Sequence, residues 1–333
     1  MKILVVGDGH SEIHEKAATN AFKKLGYNVK GFYWFKYFQS YNPIKQFWNR
    51  VQNKFIEGPL INRLNKDLYK LTIKFKPQLI FVYRGTHILP NTIINIKLSM
   101  PNCKIYGYNN DDPFSKKHSF WLWRHFMKCI PLYDLMFAYR HHNLNDFKKK
   151  KAKRVALLRS WFNPVFNFPV SLSNKEKLKY LCDVVFIGHF ENDERLKYLE
   201  EIVKKGYKLK IYGKPDDWNK KLLQSKVLKH LSPIHSVWKT EYSKAISGAK
   251  IALCFFSKLN RDTYTRRCFE IPAIGTMMIS QYSKDMCSLF KKGKEVDLFK
   301  SKKEMISKIK IYLENEKLRG VVATRGRKKV ISN

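Results

Sequence analysis

The feature that most constrains this chain is an alternation of short apolar runs with longer amphipathic stretches, which stops once and then restarts. Ile3–Val6, Asn28–Phe32, Leu79–Tyr83, Lys104–Tyr108, Leu135–Ala138 and Val155–Leu158 are β-branched or aromatic and bounded by turn or helix signals, which predicts buried strands. Between them, Glu15–Leu25 and Asn62–Phe75 predict helices. Strands separated by helices pair in parallel through right-handed crossovers, so the expected class is doubly wound α/β. The rhythm breaks over Trp161–Asn174, where two prolines and a Ser/Asn-rich end predict an interdomain linker. It then resumes with strands Asp183–Ile187, Lys208–Tyr212, Ile251–Phe255, Met277–Ser280 and Val296–Phe299. Helices Glu194–Lys205, Lys239–Ser247, Tyr264–Ile274 and Lys302–Glu314 separate them. Two α/β domains are therefore expected, at 1–165 and 175–333. Ligands of such sheets bind beyond the carboxyl ends of the strands, which makes a cleft between the two lobes the default site.

Charge narrows the partners. The chain carries 65 Lys and Arg against 27 Asp and Glu, a net +38. Both halves share it, with 29 basic and 9 acidic residues in 1–165 and 36 and 18 in 166–333. Phosphorylated ligands, nucleic acid or an anionic membrane suit such a surface, and a solvated lysine-rich exterior explains it equally well. Basic residues are spread along the chain, and no helix-turn-helix, zinc-finger or RNP signature occurs, so no specific nucleic-acid partner is expected. The six cysteines form no C-x-x-C pair, which predicts reduced thiols rather than disulfides or zinc. The opening apolar run is too short for a signal segment and no stretch approaches a membrane span, so the expected location is cytoplasmic.

The densest chemical signal is RDTYTRRCFEIPAIGTMMIS, residues 261–280. Glu270 on a helix can accept both hydroxyls of a ribose, while Arg266 and Arg267 one turn earlier, with helix-terminal N–H groups, suit a diphosphate. Gly275 closes that helix before the next strand. The alternative for Glu270 is an ordinary ion-pair partner on a partly buried helix.

This segment resembles the L-E-A-x-A-x-G-T-P-x-I run of GT-B glycosyltransferases, and its R-x-F-E-I-P-A-x-G form is most similar to the CgeB/YkvP-like spore-protein glycosyltransferases. CDVVFIGHFENDER (182–195), KIYGKPDDW (210–218) and YSKAISGAKIALCF (242–255) are similar in layout, as are YRGTHILP (83–90) and GYNNDDP (107–113). The resemblance implies two Rossmann-like domains, a nucleotide-sugar donor held by the C-terminal one, and transfer with retention to a glycan, lipid-linked or protein acceptor. It carries the ribose contact onto Glu270 and the sugar contact onto Asp262, where the wider group has glutamate. It adds Gly188 and Gly213 at strand ends to the donor set with Gly275. Members commonly run on beyond this point, so a closing helix that returns to the N-lobe is expected to be missing after Asn333.

A leaving diphosphate needs its developing charge stabilised. No D-x-D metal pair is present, so no metal and no cofactor is expected, and Lys214, Arg195 and Arg267 are the candidate cations. NNDDP (109–113) follows a strand. Asp111 or Asp112 either caps the next helix or touches the acceptor hydroxyl as a base. His10, in the GDGHSEIHE loop after the first strand, is the other candidate base; GDGH is not a G-x-G-x-x-G fingerprint, so dinucleotide binding is not expected. In HSFWLWRHFMKCI (118–130), Phe120, Trp121, Leu122, Trp123, Phe126 and Met127 sit among Lys117, Arg124 and Lys128. Such a helix either packs inward or lies on an anionic membrane, and GFYWFKYFQSY (31–41) carries the same ambiguity. Two other readings stay open: a basic nucleic-acid-binding protein, and a nucleotide-sugar-binding protein without turnover.

Overall fold

The computed structural model describes residues 1–332 and divides into two compact units, Met1–Arg159 and Ser160–Asn333. The first is built from β1 (Lys2–Gly7), α1 (Glu15–Lys24), β2 (Asn28–Tyr33), α2 (Pro43–Phe55), α3 (Pro59–Phe75), β3 (Leu79–Tyr83) and α4 (Pro90–Ser99). It continues with β4 (Lys104–Asn109), α5 (Phe120–Cys129), β5 (Leu135–Ala138), α6 (His141–Lys149) and β6 (Val155–Leu157). Its sheet has the order β2-β1-β3-β4-β5-β6 and every pairing is parallel. Val5 of β1, which lies between β2 and β3, stands beside Gly31 on one side and Phe81 on the other. Ile3, Leu4, Val5 and Val6 are all buried, as expected for a strand covered by helices on both faces.

The second unit holds α7 (Asn174–Tyr180), β7 (Cys182–Ile187), α8 (Arg195–Lys204), β8 (Leu209–Tyr212), α9 (Pro215–Gln224), α10 (Lys239–Ser247) and β9 (Ala249–Cys254). Then follow α11 (Arg267–Ile274), β10 (Met277–Gln281), α12 (Lys284–Leu289), β11 (Asp297–Phe299), α13 (Lys302–Glu314) and α14 (Glu316–Ile331). The five-stranded order β11-β10-β9-β7-β8 is again wholly parallel. Its core gathers Val184 and Phe186 from β7, Ile251 and Leu253 from β9, Trp218 from α9 and Ile309 from α13.

In each unit the chain winds out one way and then returns to the other side of its first strand. The reversal falls between β1 and β3 in the first sheet and between β7 and β9 in the second. At such a switch point the loops at the carboxyl ends diverge and leave a crevice for a ligand. The residues of interest follow these four strands: 8–14, 84–87, 188–193 and 255–266.

The stretch from Trp161 to Ser173 belongs to the second unit. Ser243 donates to the Phe166 carbonyl and Val170 N–H donates to Ser247 Oγ. Ser173 then caps α7 reciprocally with Glu176.

The aromatic run of α5 divides between the two expectations made for it. Trp123, Phe126 and Cys129 are core, whereas Phe120 and Trp121 are exposed. In residues 31–41, Phe32, Trp34 and Phe38 are buried and Phe35 is exposed. All six cysteines are free thiols, and only Cys287 is exposed. Among the described residues, no helix is long and apolar enough to cross a membrane.

Candidate functional site

The second switch point assembles around Gly188, the residue that follows β7. Its carbonyl accepts the Trp218 indole N–H at 2.8 Å, and its N–H donates to the Tyr212 carbonyl at 2.9 Å. A side chain on Gly213, which follows β8, would run into that same carbonyl, so the bare glycine lets the two strand ends close up. Arg267, the first residue of α11, lays its guanidinium against Gly188. It is half-buried, and among the described residues no carboxylate reaches ion-pair distance of it. A guanidinium held at a sheet's carboxyl edge without a carboxylate is a ready anion contact.

One turn further, Glu270 is buried at 4% exposure and accepts the Arg266 Nε–H at 2.6 Å. Burial, with the Glu270 carboxylate beside it, raises the Tyr242 phenol well above its ordinary range. Gly188, Gly213, Arg266, Arg267 and Glu270 thus form one cluster. The helix-terminal N–H groups contribute less than expected: those of Cys268, Phe269 and Glu270 already donate to the Thr265 and Arg266 carbonyls.

Two donor-side expectations change, those for Arg195 and Gly275. Arg195 is no cation for a diphosphate. It is 5% exposed, forks onto Asp193 at 2.8 and 2.9 Å, and donates to the His189 carbonyl at 2.6 Å. Its charge is already neutralised where it stands. Gly275 caps the far end of α11 with φ +89°, a left-handed turn that glycine adopts without a Cβ penalty. It lines a cavity with the strand starts Cys182, Lys208, Ala249 and Met277, at the edge of the sheet opposite the switch-point loops. Lys214, at the N-cap of α9, is an exposed cation 3.8 and 3.9 Å from Asp217 and Asp216, a weak surface arrangement.

Asp262 closes a loop on itself: its N–H donates to the Ser257 carbonyl at 2.8 Å, and Ser257 N–H donates to its Oδ2 at 3.4 Å. Glu191, which the sequence reading passed over, ties this loop to the one after β7. Its Oε2 accepts the Lys258 N–H at 3.0 Å and lies 3.5 Å from the Arg195 guanidinium. A charged run after a strand-ending glycine, HFENDER, was the available signal.

The first switch point carries the other candidates. His10 Nδ1 lies 2.8 Å from Asp8 Oδ2, and that hydrogen bond holds the imidazole above its usual pKa against the opposing effect of burial. With Nδ1–H donating to Asp8 Oδ2, Nε2 of the neutral ring presents a lone pair. Behind it, Gly9 N–H donates to Glu15, whose carboxyl is pushed up by burial. Across the switch, Arg84 adopts φ +67°, pairs with Asp111 at 3.0 Å, and keeps a buried Nε without a hydrogen-bond partner among the described residues. Asp8 and Arg84 were not foreseen. Asp111 stands at this switch point through its ion pair with Arg84.

Asp112 does not. It is completely buried, and its Oδ1 accepts Phe114 N–H at 3.1 Å and Asn143 Nδ2 at 3.0 Å, which fastens the loop to α6. It caps no helix, since α5 has Ser119 as its N-cap, and its full burial leaves no surface for an acceptor hydroxyl. Asp112, His142 and Asp146 place donor atoms within 4.8 Å of one another, the only such group among the described residues. Asp112 Oδ1 already receives two N–H groups, so this cluster reads as the pinning of α6.

Residues 195–333 match a family described as glycosyl transferase-like. A search of curated proteins returned no match. Solved structures align over the whole chain at low identity. Sucrose-phosphate synthase from Thermosynechococcus elongatus is 12% identical with TM-score 0.69, covering 100% of this chain and 94% of that one. HepE from Anabaena, in complex with UDP and glucose, is 12% identical with TM-score 0.65, covering 100% and 95%. MnaA from S. aureus, bound to UDP, is 13% identical with TM-score 0.54, covering 97% and 90%. Two parallel Rossmann-like units give the chain the GT-B fold, and with a glycosyl transferase-like domain over residues 195–333 it is an enzyme of the glycosyltransferase class.

Proposed function

We infer that this enzyme takes a sugar from a uridine diphosphate sugar and transfers it to a glycan, lipid-linked or protein acceptor without a metal ion. The observation that carries the donor reading is Arg267 against Gly188 with Glu270 one turn on, at a switch point of the sheet. UDP in the HepE and MnaA complexes supports uridine as the nucleoside. Arg267, aided by Lys214, receives the charge that develops on the leaving diphosphate, and Glu270 takes the ribose hydroxyls. During transfer the bond from the anomeric carbon to the phosphate oxygen breaks, and a bond from the acceptor oxygen to that carbon forms. The acceptor's proton must go to a base.

The finer resemblance to spore-protein glycosyltransferases rests on FEIPAIG and implies retention, with Asp262 near the sugar. The Asp8–His10 pair favours a second course. A histidine oriented through Nδ1 suits direct displacement with inversion, Nε2 taking the acceptor proton. The anomer formed, read by proton NMR, decides between them.

The test of function is a melting-temperature screen of UDP, GDP, dTDP and CMP, followed by donor hydrolysis and transfer assays in excess EDTA. A ligand that binds only the native state raises its melting point. The expected result is stabilisation by UDP and turnover that survives chelation. Binding without hydrolysis or transfer would indicate a nucleotide-sugar-binding protein without turnover. Activity abolished by EDTA and restored by manganese would overturn the metal-free cradle.

A further inference from the structure

Helix α2 is folded with its polar side inward. Asn49 is 2% exposed, Gln46 accepts Ser40 N–H at 2.7 Å, Gln52 accepts Leu60 N–H at 2.8 Å, and Asn53 Oδ1 meets His87 Nε2 at 2.7 Å. The opposite face carries Ile44, Phe47, Trp48 and Phe55, a helical stripe, and it is open. Phe47 is 61% exposed and Trp48 58%. The stripe continues onto the start of α5, where Phe120 is 74% and Trp121 41% exposed and the Trp121 ring meets Phe55 edge-on at 5.6 Å. A helix in an ordinary soluble domain turns these faces the other way.

The charge around this stripe has one sign. Lys45, Arg50 and Lys54 flank it on α2, and Lys116 and Lys117 precede α5; all five are exposed. No acidic residue occurs between Glu15 and Glu57 or between Asp112 and Asp134. Glu57 itself is held by Arg124 at 2.8 Å.

We propose that α2 and the first turn of α5 form a docking surface for an anionic lipid bilayer. Tryptophan and phenylalanine enter the boundary between headgroups and acyl chains, while lysine and arginine remain among the headgroups. Each basic residue near such a surface contributes through attraction that salt screens. A second copy of this chain would set the same cations against one another, which disfavours a symmetric dimer through this face.

The experiment is co-sedimentation of the full chain with vesicles of phosphatidylglycerol and phosphatidylcholine, and with phosphatidylcholine alone, over a salt series. Binding is expected to require phosphatidylglycerol and to fall as salt rises. The double variant Phe47→Ser, Trp48→Ser should lose about tenfold in partitioning with its melting temperature unchanged, since both side chains are solvent-facing. Trp123→Ser serves as the contrast, lowering the melt through the core. Vesicle binding equal to wild type in the double variant would overturn the proposal. So would a wild-type dimer, seen by light scattering, that this variant converts to monomer while vesicle binding persists. Nucleotide binding, measured separately, tests the donor reading without touching this one.

Discussion

Gly188 and Arg267 face each other with no room for a side chain between them: a methyl group on Gly188 would stand 3.1 Å from a terminal nitrogen of the Arg267 guanidinium. The end of one strand and the start of one helix thus fix each other across the switch point. The guanidinium is the flexible partner, so it would yield first.

Gly188→Ala should therefore displace Arg267 and weaken UDP binding about tenfold, roughly 1.4 kcal/mol. The same methyl would also lie 2.9 Å from the Phe186 ring, so a small fall in melting temperature is expected as well. Calorimetry on this variant beside Arg267→Ala checks the assignment. If Arg267→Ala binds UDP as wild type does, the anion contact lies elsewhere.

Glu270 is more enclosed than a residue simply facing a cleft. With its carboxylate buried and bonded to Arg266 Nε, Glu270→Ala leaves a void as well as a lost acceptor. Nucleotide affinity should drop by about 1.5–3 kcal/mol, the range for hydrogen bonds to a charged group, and the melt should drop with it. Glu270→Gln keeps the volume, so it should lose affinity with a smaller change in melting temperature. A Gln variant that loses stability and no affinity would make Glu270 purely structural.

Arg195 yields a stability prediction where the sequence suggested a binding one. Burial raises the Asp193 carboxyl, but the Arg195 hydrogen bonds outweigh it and leave the group below its usual pKa. A depressed folded value contributes stability above the unfolded pKa near 3.8 and loses it as pH falls through the folded value. Arg195→Ala strands this buried carboxylate, and breaking such pairs costs about 3–5 kcal/mol. Thermal melts at pH 7 and at pH 3 should show a large loss at neutrality and a smaller one in acid. An equal loss at both would exclude the ion pair as its cause.

The doubly wound plan was legible because inner strands buried on both faces read as continuous apolar runs, and among the described residues all eleven strands fall where Ile3–Val6, Asp183–Ile187 and the other runs lie, although the edge strand β2, expected to be buried, is largely exposed. Helices were less legible. The α2 helix buries Asn49 and exposes Phe47 and Trp48, so its pattern in sequence says nothing about which face turns inward. Site residues divided by the same logic. Glu270 and Arg267 share one helix turn, a local relation that spacing reveals. The pairing of Asp111 with Arg84 joins β4 to β3, and Arg195 finds its carboxylates within its own loop. Spacing does not report such partners, and they are what separate a free cation from a neutralised one.

His10 gives the sharpest test of the chemistry proposed for the first unit. A general base must be neutral to take a proton, so kcat/KM should fall on the acid side as His10 protonates. Asp8 raises the His10 pKa above 6.5, placing that acid limb above 6.5. The linked stability has the opposite sense. A raised folded pKa contributes fully below the unfolded value and is lost as pH rises through the folded one, so the contact that stabilises this loop in mild acid is weakest where the enzyme is most active. Asp8→Asn removes the charge and should move the acid limb to lower pH, while lowering the maximum rate because the imidazole is less well oriented. His10→Gln should abolish the limb and cut kcat/KM by about 10²–10⁴-fold, the usual contribution of a positioned base. Should His10→Gln retain the limb and most of the rate, the proton goes elsewhere, and the retaining course implied by the family resemblance stands.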